Sequence, residues 1–419
     1  MKRKNYWFLF AILLLSLTSL SQGQNLTPDR SSGEERKTMS WNPQPSSTQD
    51  TDDQAIRVVT HLNESDYKEL LDMNQGFMSE TGIQVEIRNI PDTDAYRQLT
   101  ASLEVGDGPD VMLVNSPWIR SMAASGYILP AESYQNSSTG SDTISPILQM
   151  LEWNGYQWGI PLDMDPYVLV WQAHALQTFG IADTPQDAGK GWKDLLVKQE
   201  TRKDKKLLAL PAGDGYAFAA FMGGMGESLV HPTNEELESL SKLRPGIQFI
   251  EPGKTKEAWT SLKNGELILM AVSASEAVKE KQNNSLLELR MPEQLYGDNP
   301  FLLRGRSYAV SAQSQFPEKA AEWIAYMTSG RSQKQWTEAT GYLPVLRTIY
   351  EEEQYPLLRT PVRLTQLLKP MEGDAVDSLL QSRWDRFSKA AKLFLSGKST
   401  AQEYREAMEA GSKEKSATP

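Results

Sequence analysis

IRVVTHLNESDYKELLDMNQGFMSETGIQVEIRNIPDTDAYRQLTASLEVGDGPDVMLV, residues Ile56–Val114, is the stretch that decides the fold class. Ile56–Thr60 is an apolar run of strand length. Glu64–Glu80 then carries Tyr67, Leu70, Leu71 and Phe77 at helical spacing and stops at Thr81–Gly82. Ile83, Val85 and Ile87 alternate with polar residues, the period of a strand. Asp92–Val105 returns to helix, with Ala95, Leu99 and Leu103 on one face and Gly106 as its stop, and Val111–Val114 is a third buried strand. Strand, helix, strand, helix, strand with short links implies right-handed crossovers and a parallel, doubly wound α/β sheet. Ligands of such sheets sit at the carboxyl ends of the strands. Here those ends are the loops His61–Glu64, Asn89–Asp92 and Asn115–Trp118.

Further along the chain, Trp118–Ser125 reads as a short helix closed by Gly126, and SYQNSSTGSD as a surface loop. Asn154-Gly155 between aromatic residues predicts a hairpin. Val168–Trp171, Leu207–Leu210, Leu267–Val272 and Tyr308–Ser311 read as strands, and Glu257–Lys263 and Glu318–Thr328 as helices. Pro211–Gly226 holds glycines that let the backbone approach a ligand closely. From Pro361 to Ala410 the pattern is helical, and Gly411–Pro419 reads as a frayed tail.

Toward the other end, Lys2, Arg3 and Lys4 precede an apolar run from Trp7 to Leu17 and then small polar residues, the order of a secretory signal. Cleavage after Ser21 or Gly23 fits, so 1–23 reads as a signal peptide; the run is shorter than the roughly 20 residues of a membrane span. Residues 24–54, rich in Ser, Thr, Asn, Gln, Pro and charge, read as a disordered polar tether. Over all 419 residues, 43 Lys+Arg stand against 54 Asp+Glu, a net charge of −11. That balance argues against a nucleic-acid binder, which needs a basic stripe. Zero cysteines exclude disulfides, Cys-ligated metals and thiol chemistry, and three histidines leave few candidates for a metal site or a Ser/His triad. No cofactor or metal site is expected.

No GxSxG, HExxH, GxGxxG or GxxxxGK[ST] motif is present. Asp163 and Asp165 in PLDMDP are the one close carboxylate pair to nominate for acid/base chemistry. The alternative is that one of them binds a polar ligand while the other caps a turn. The positive signal is aromatic, with 11 Trp, 15 Tyr and 11 Phe. Trp192, Trp259, Trp323, Trp336 and Trp384 fall on helical patterns and read as core. Trp118, Trp158 and Tyr167 fall at strand ends or turns, where a ring can face a ligand.

The ordered set FMSETGIQVE (Phe77–Glu86), GDGPDVMLVNSPW (Gly106–Trp118), SGYILPA (Ser125–Ala131), WNGYQWGIPLDMDPYVLVW (Trp153–Trp171), GWKDLL, SLKNGELILM (Ser261–Met270), FPEKAAEWIAYMTSG and ATGYLPV (Ala339–Val345) resembles the extracellular solute-binding proteins of ABC importers, in their maltose-binding-like sugar class. It runs through nearly all of Ile56–Ala410. The resemblance implies a periplasmic-binding-protein-like fold of type II. Two doubly wound α/β lobes would be joined by crossover strands, with the ligand cleft between them. Lobe one would take 55–163 plus 305–348, and lobe two 164–304 plus 349–419. The lobes would close on a carbohydrate or similar polar solute and present it to an ABC permease or a membrane sensor. No catalysis is implied, and a monomer is the family expectation.

Carried over residue by residue, the ligand positions are Glu64, Asn115, Trp118, Asp165, Tyr167, Tyr216, Arg306, Ser307 and Tyr342. Trp118, Tyr216 and Tyr342 would stack on sugar rings, while Glu64, Asn115, Asp165 and Arg306 would take hydroxyls. Arg306 would otherwise pair with the carboxylate of an acidic sugar. Two departures stand out. Many members carry a Gly-Pro-Trp-like element after the strand matching Leu267–Val272, where this chain has Ser273-Ala274-Ser275-Glu276. Gram-positive members usually carry a lipid-modified Cys after the signal, and this chain has none. The expectation is an exported, non-lipidated protein, either released after cleavage or held by an uncleaved Trp7–Leu17 segment. An extracellular carbohydrate-active enzyme and a sensor or interaction module on the same fold are the alternative functions.

Overall fold

The computed structural model describes residues 55–134, 142–172, 174–175, 205–224, 232–251, 254–283, 286–290, 304–351 and 380–410. The signal and tether, Trp192 and the 361–379 part of the C-terminal helical pattern lie outside those residues. In chain order the strands are β1 (Ile56–Thr60), β2 (Val85–Asn89), β3 (Val111–Asn115), β4 (Glu152–Trp153), β5 (Tyr156–Gln157), β6 (Ile160–Met164) and β7 (Tyr167–Gln172). They continue as β8 (Lys206–Pro211), β9 (Ile247–Ile250), β10 (Leu267–Ser273), β11 (Leu287–Arg290), β12 (Gly305–Val310) and β13 (Leu343–Pro344). Two main sheets result, ordered β13-β6-β12-β3-β1-β2 and β11-β7-β10-β8-β9.

The parallel sheet expected from Ile56–Val114 is the β2-β1-β3 portion of the first sheet. The rest of that sheet is antiparallel: β12 runs against β3 and β6, and β13 against β6. In the second sheet β10, β8 and β9 are parallel, and β7 runs against both of its neighbours, β10 and β11, so that β11 points the same way as β10. The reversal has a simple cause. The chain leaves the first sheet along β6, and only Asp165-Pro166 separates β6 from β7, so β7 enters the second sheet without a crossover helix.

Helix Glu64–Thr81 follows the sequence reading closely. Asn63 accepts from Asp66 N at its start, and Gly82 ends it with φ 77°. Its buried face, Leu70, Met73 and Phe77, packs with Val58, Leu113, Tyr308 and Trp323 on one side of the first sheet. Trp323 is fully buried and donates its indole N–H to Asn74 Oδ1 at 2.8 Å. On the other side, Leu99, Leu103, Met122 and Trp118 cover Met112 and Val114. The hairpin falls where expected: Asn154 and Gly155 both have positive φ, 51° and 78°, as a two-residue primed turn requires.

The second sheet is covered by helices Gly215–Gly224, Thr255–Lys263 and Leu380–Leu395, with Phe218, Trp259, Phe387 and Phe394 in the core. That core reaches Ile144, Ile147, Met164 and Leu343 near the junction with the first sheet. Helices Asn234–Leu243 and Ala274–Asn283 have no counterpart in the sequence reading, whereas Gly330–Thr340 carries Trp336, read there as a helical core residue. No helix among the described residues is long and apolar enough to cross a membrane.

Candidate functional site

Arg306 lies on β12 in register with Asn115 of β3 and Asp163 of β6. Its Nε donates to both Asp163 oxygens at 3.2 and 3.1 Å, and its Nη2 also donates to Asp163 Oδ2. The same oxygen accepts the Trp336 indole N–H at 2.8 Å. Asp66 Oδ2 stands 3.9 Å from Arg306 Nη1. The guanidinium carbon lies 3.9 Å from the Tyr342 ring centroid and 5.5 Å from that of Trp336. Burial opposes this charge, but Asp163, Tyr342 and Asp66 outweigh it and hold the guanidinium more firmly protonated than usual. Arg306 is thus held within the fold.

The Trp336–Tyr342 pair follows from local sequence. Trp336 is on helix Gly330–Thr340, which Gly341 ends at φ 78°, turning the chain so that Tyr342 stacks back on Trp336 at 6.3 Å and 13°. The Tyr342 hydroxyl is raised by burial, lowered by Arg306, and raised again by Asp165, Asp66 and Asp163. Asp165 therefore belongs to the same electrostatic neighbourhood, although it begins the passage to the second sheet.

On the second sheet, Tyr167 opens β7 and donates its hydroxyl to Asp214 Oδ2. Asp214 Oδ1 accepts from Tyr216 N at 2.9 Å, which caps the start of helix Gly215–Gly224. The Tyr216 ring is stacked with that of Tyr167 at 6.1 Å and 12°, and lies 4.4 Å from that of Trp384. Gly215 makes this approach feasible: a Cβ there would stand 1.9 Å from Ser388 Oγ and 3.1 Å from the Trp384 ring.

The two clusters meet at Asp165. Its carboxylate accepts from Ser275 N and Ser275 Oγ, both at 2.9 Å, at the start of helix Ala274–Asn283. Its backbone N–H donates to the Arg304 carbonyl at 2.8 Å. Burial raises the Asp165 carboxyl, against the pull of Arg304 and the Ser275 bonds. The Gly341 turn abuts the same helix, since a Cβ there would lie 3.2 Å from the Ser275 carbonyl. Ser275 comes from Ser273–Glu276, the segment where the resemblance led to an expectation of a Gly-Pro-Trp-like element, and here it supplies hydrogen-bond partners to Asp165.

The other nominated residues have side-chain partners of their own or, among the described residues, none. Trp118 is 7 % exposed, with the His61 ring 5.1 Å away at 30° and Tyr96 edge-on at 5.2 Å. His61 Nδ1 bonds Asp92 Oδ1 at 2.8 Å, and His61 Nε2 is buried without a partner among the described residues. The His61 bond lowers the Asp92 carboxyl, against a smaller effect of burial. Ser307 is fully buried against Ser116, Oγ to Oγ 2.8 Å. Asn115 is half-buried at the end of β3, and Glu64 is exposed at the first turn of its helix. Asp163 and Asp165, nominated together as a carboxylate pair, have separate partners in Arg306 and Ser275.

Sequence reasoning missed Arg304, Trp384 and Asp214. Arg304 is half-buried beside β12, and its charge is opposed by burial but strengthened by Tyr167, Asp165, Asp214 and Tyr216. Among the described residues its side chain has no hydrogen bond and no ion pair within 4.0 Å. The helical spacing of Trp384 signalled core, and at 7 % exposure it is core, yet one ring neighbour is Tyr216. The Asp214 cap was readable from Gly213-Asp214-Gly215. No cluster of metal-ligating side chains occurs among the described residues.

Residues 73–358 match the sequence model of the family described as bacterial extracellular solute-binding protein, and the chain belongs to that family. Its members bind solutes outside the cytoplasmic membrane; it is not a family of enzymes. No curated protein matches the chain by sequence. Among solved structures, the GacH receptor of Streptomyces glaucescens GLA.O, studied unliganded and with acarbose, superposes with TM-score 0.71 at 18 % identity, over 86 % of this chain and 97 % of that one. The sugar-binding protein MalE from Xanthomonas citri gives 0.69 at 14 % identity, over 87 % and 100 %. The maltotriose-binding protein of Thermus thermophilus, bound with maltotriose, gives 0.63 at 15 %, over 85 % and 97 %. At these identities the likeness shows the fold: mixed α/β, of the maltose-binding-like periplasmic kind, with no closed barrel.

Proposed function

We propose that the chain captures a carbohydrate between two lobes built on its two sheets and delivers it to an ABC permease. Lobe one takes 55–163 plus 305–348, and lobe two 164–304 plus 349–419. One observation carries the reading: two stacked aromatic pairs, Trp336–Tyr342 beside the first sheet and Tyr167–Tyr216 at the second, lie in the electrostatic neighbourhood of Asp165 and Arg304. Aromatic faces for sugar C–H surfaces, with a few polar groups for hydroxyls, are what a carbohydrate site needs. The sugars bound by the structural neighbours support the same class. Tyr216, Tyr342, Tyr167 and Asp165 form the centre of this site. Asn115 and Glu64 lie at its lobe-one edge, Arg306 and Ser307 support it from within the sheet, and Trp118 packs against His61.

The test is a thermal-shift screen of the purified chain against oligosaccharides, oligopeptides and polyamines, followed by calorimetry and scattering. A bound ligand raises stability by linkage. Saturable binding of an oligosaccharide, with compaction of the particle, is the expected result. Binding confined to peptides or polyamines, or release of products from a glycan, refutes it. Export followed by a polar tether, without a lipid-modified Cys, completes the reading, and the protein acts as a monomer. Mass spectrometry of the mature N-terminus distinguishes cleavage after Ser21 or Gly23 from retention of Trp7–Leu17, and sedimentation reads the oligomeric state.

A further inference from the structure

We infer that Arg304 sets the charge class of the ligand: its guanidinium reads the hydroxyl oxygens of an uncharged sugar, and the site discriminates against sugars that carry a carboxylate. The inference rests on the carbohydrate reading and goes beyond it in naming the residue and the excluded class.

The two arginines flanking Gly305 are in different situations. Arg306 has its Nε and Nη2 donors engaged by Asp163, and its face covers Tyr342. Arg304 is half-buried and makes no side-chain hydrogen bond among the described residues, which leave its fork of five N–H groups without an acceptor. Closure of a site around such a group is costly unless acceptors arrive with the ligand.

The carboxylates near Arg304 are engaged elsewhere. Asp165 offers one oxygen to Ser275 N and the other to Ser275 Oγ. Asp214 offers one to Tyr216 N and the other to Tyr167 Oη. Both act on Arg304 through space and so balance its charge without occupying its donors. Around Arg304 the count is one cation against two carboxylates. Arg306 is matched by Asp163, with Asp66 as a further anion close by. Asp92 also feels both arginines. Even with Asp165 protonated, Asp214 alone matches Arg304. Among Arg304, Arg306 and the carboxylates named here no positive charge is left over for a ligand anion, whereas the donors of Arg304 are left for neutral acceptors. The neighbouring Tyr167–Tyr216 stack supplies the apolar surface that a neutral sugar ring covers.

The test uses the full chain and two probe sets: maltotriose, cellotriose and xylotriose, against trigalacturonate and triglucuronate, each by thermal shift and calorimetry. The expected result is that at least one neutral trisaccharide binds and both uronates bind at least roughly tenfold more weakly. Arg304→Ala and Arg304→Gln, each shown folded by circular dichroism, then lose roughly tenfold to hundredfold in affinity for that neutral sugar. Arg304→Lys fails to restore it, because a point charge does not replace the planar fork. Uronate binding equal to or tighter than that of the neutral sugars, or neutral-sugar affinity unchanged in Arg304→Ala, overturns the inference and leaves the carbohydrate reading standing. Failure of every sugar in both sets overturns the carbohydrate reading itself, and this inference with it.

Discussion

Substitution of Asp163 separates the two roles open to Arg306, support of the fold or contact with ligand. The Asp163 side chain is 1 % exposed and that of Arg306 11 %. Removing one partner of a buried, hydrogen-bonded ion pair costs about 3–5 kcal/mol, because the remaining charge is left without compensation. Asp163→Ala also deprives the Trp336 indole N–H of its acceptor, and Trp336 is 1 % exposed, which adds about 1 kcal/mol. Asp66, 3.9 Å from the guanidinium, returns part of this, so the expected loss is about 4 kcal/mol. Asp163→Asn keeps one acceptor oxygen and loses about half as much. A native protein is stable by only about 5–15 kcal/mol, so the effect is large. With a urea m-value of about 3 kcal/mol/M, the midpoint for Asp163→Ala falls by roughly 1 M. Urea unfolding without sugar, followed by circular dichroism and tryptophan fluorescence together, is the assay. The double variant Asp163→Leu with Arg306→Met should recover to within about 1 kcal/mol of the parent, since apolar isosteres often replace buried pairs without loss. An Asp163→Ala protein within about 1 kcal/mol of the parent, but weakened in ligand binding, would refute the reasoning and return Arg306 to the ligand.

Gly215→Ala should destabilise by about 1–3 kcal/mol and weaken sugar binding, because its methyl drives Ser388 and Trp384 away from Tyr216. A double-mutant cycle with Ser388→Gly measures this coupling, and additivity would argue against the contact. Gly341→Ala should cost about 1–2 kcal/mol, since φ 78° strains any L side chain and the methyl meets the Ser275 carbonyl; an unchanged urea midpoint counts against the turn as drawn. The pH dependence has a definite sign at Glu276, where burial raises the carboxyl despite the Trp259 N–H at 2.8 Å and Asp165 raises it further. A raised carboxyl in the folded state adds stability below its unfolded value of 4.5 and loses that contribution as pH rises through the folded value. Glu276→Gln should therefore flatten the stability profile from pH 4.5 upward, and identical profiles for parent and variant would be inconsistent with the burial.

Much of the first sheet was legible because each of its early elements carries its own local signal. Asn63 and Gly82 bound a helix with a regular apolar face, and Asn154-Gly155 can only turn one way. Strand direction was less legible. Nothing within VLVW reveals that Tyr167–Gln172 runs antiparallel to Leu267–Ser273, because direction depends on which sheet the preceding link enters. The candidate site was half legible for a related reason. Tyr342 and Tyr216 stand out as aromatics beside glycines, but whether Arg306 or Arg304 holds a free fork depends on register. Asp163 sits opposite Arg306 across β6 and β12, and that pairing between residues distant in sequence has no local signature.

The register also bears on why the charge recognition proposed for Arg304 falls beside the links between the sheets. Two stretches of chain described here pass between the sheets: Asp165-Pro166 after β6, and the approach to β12 at Arg304. They are tied by one backbone hydrogen bond, Asp165 N to Arg304 O at 2.8 Å, and Pro166 O accepts from Ala274 N at 2.8 Å. Pro166 fixes one φ angle in the shorter link, so freedom to reorient concentrates in the dihedrals around Asp165. Asp165 also holds the start of helix Ala274–Asn283 through Ser275, and that helix abuts the Gly341 turn beside Tyr342. A ligand that draws on Asp165 or Arg304 therefore acts on the backbone linking the sheets, with no relay through either core. The apolar layers on each side are close-packed and resist deformation, so a shift at this joint moves each sheet as a unit. On the two-lobe reading proposed above, a site at this joint would convert a few hydrogen bonds into the relative motion of the two lobes.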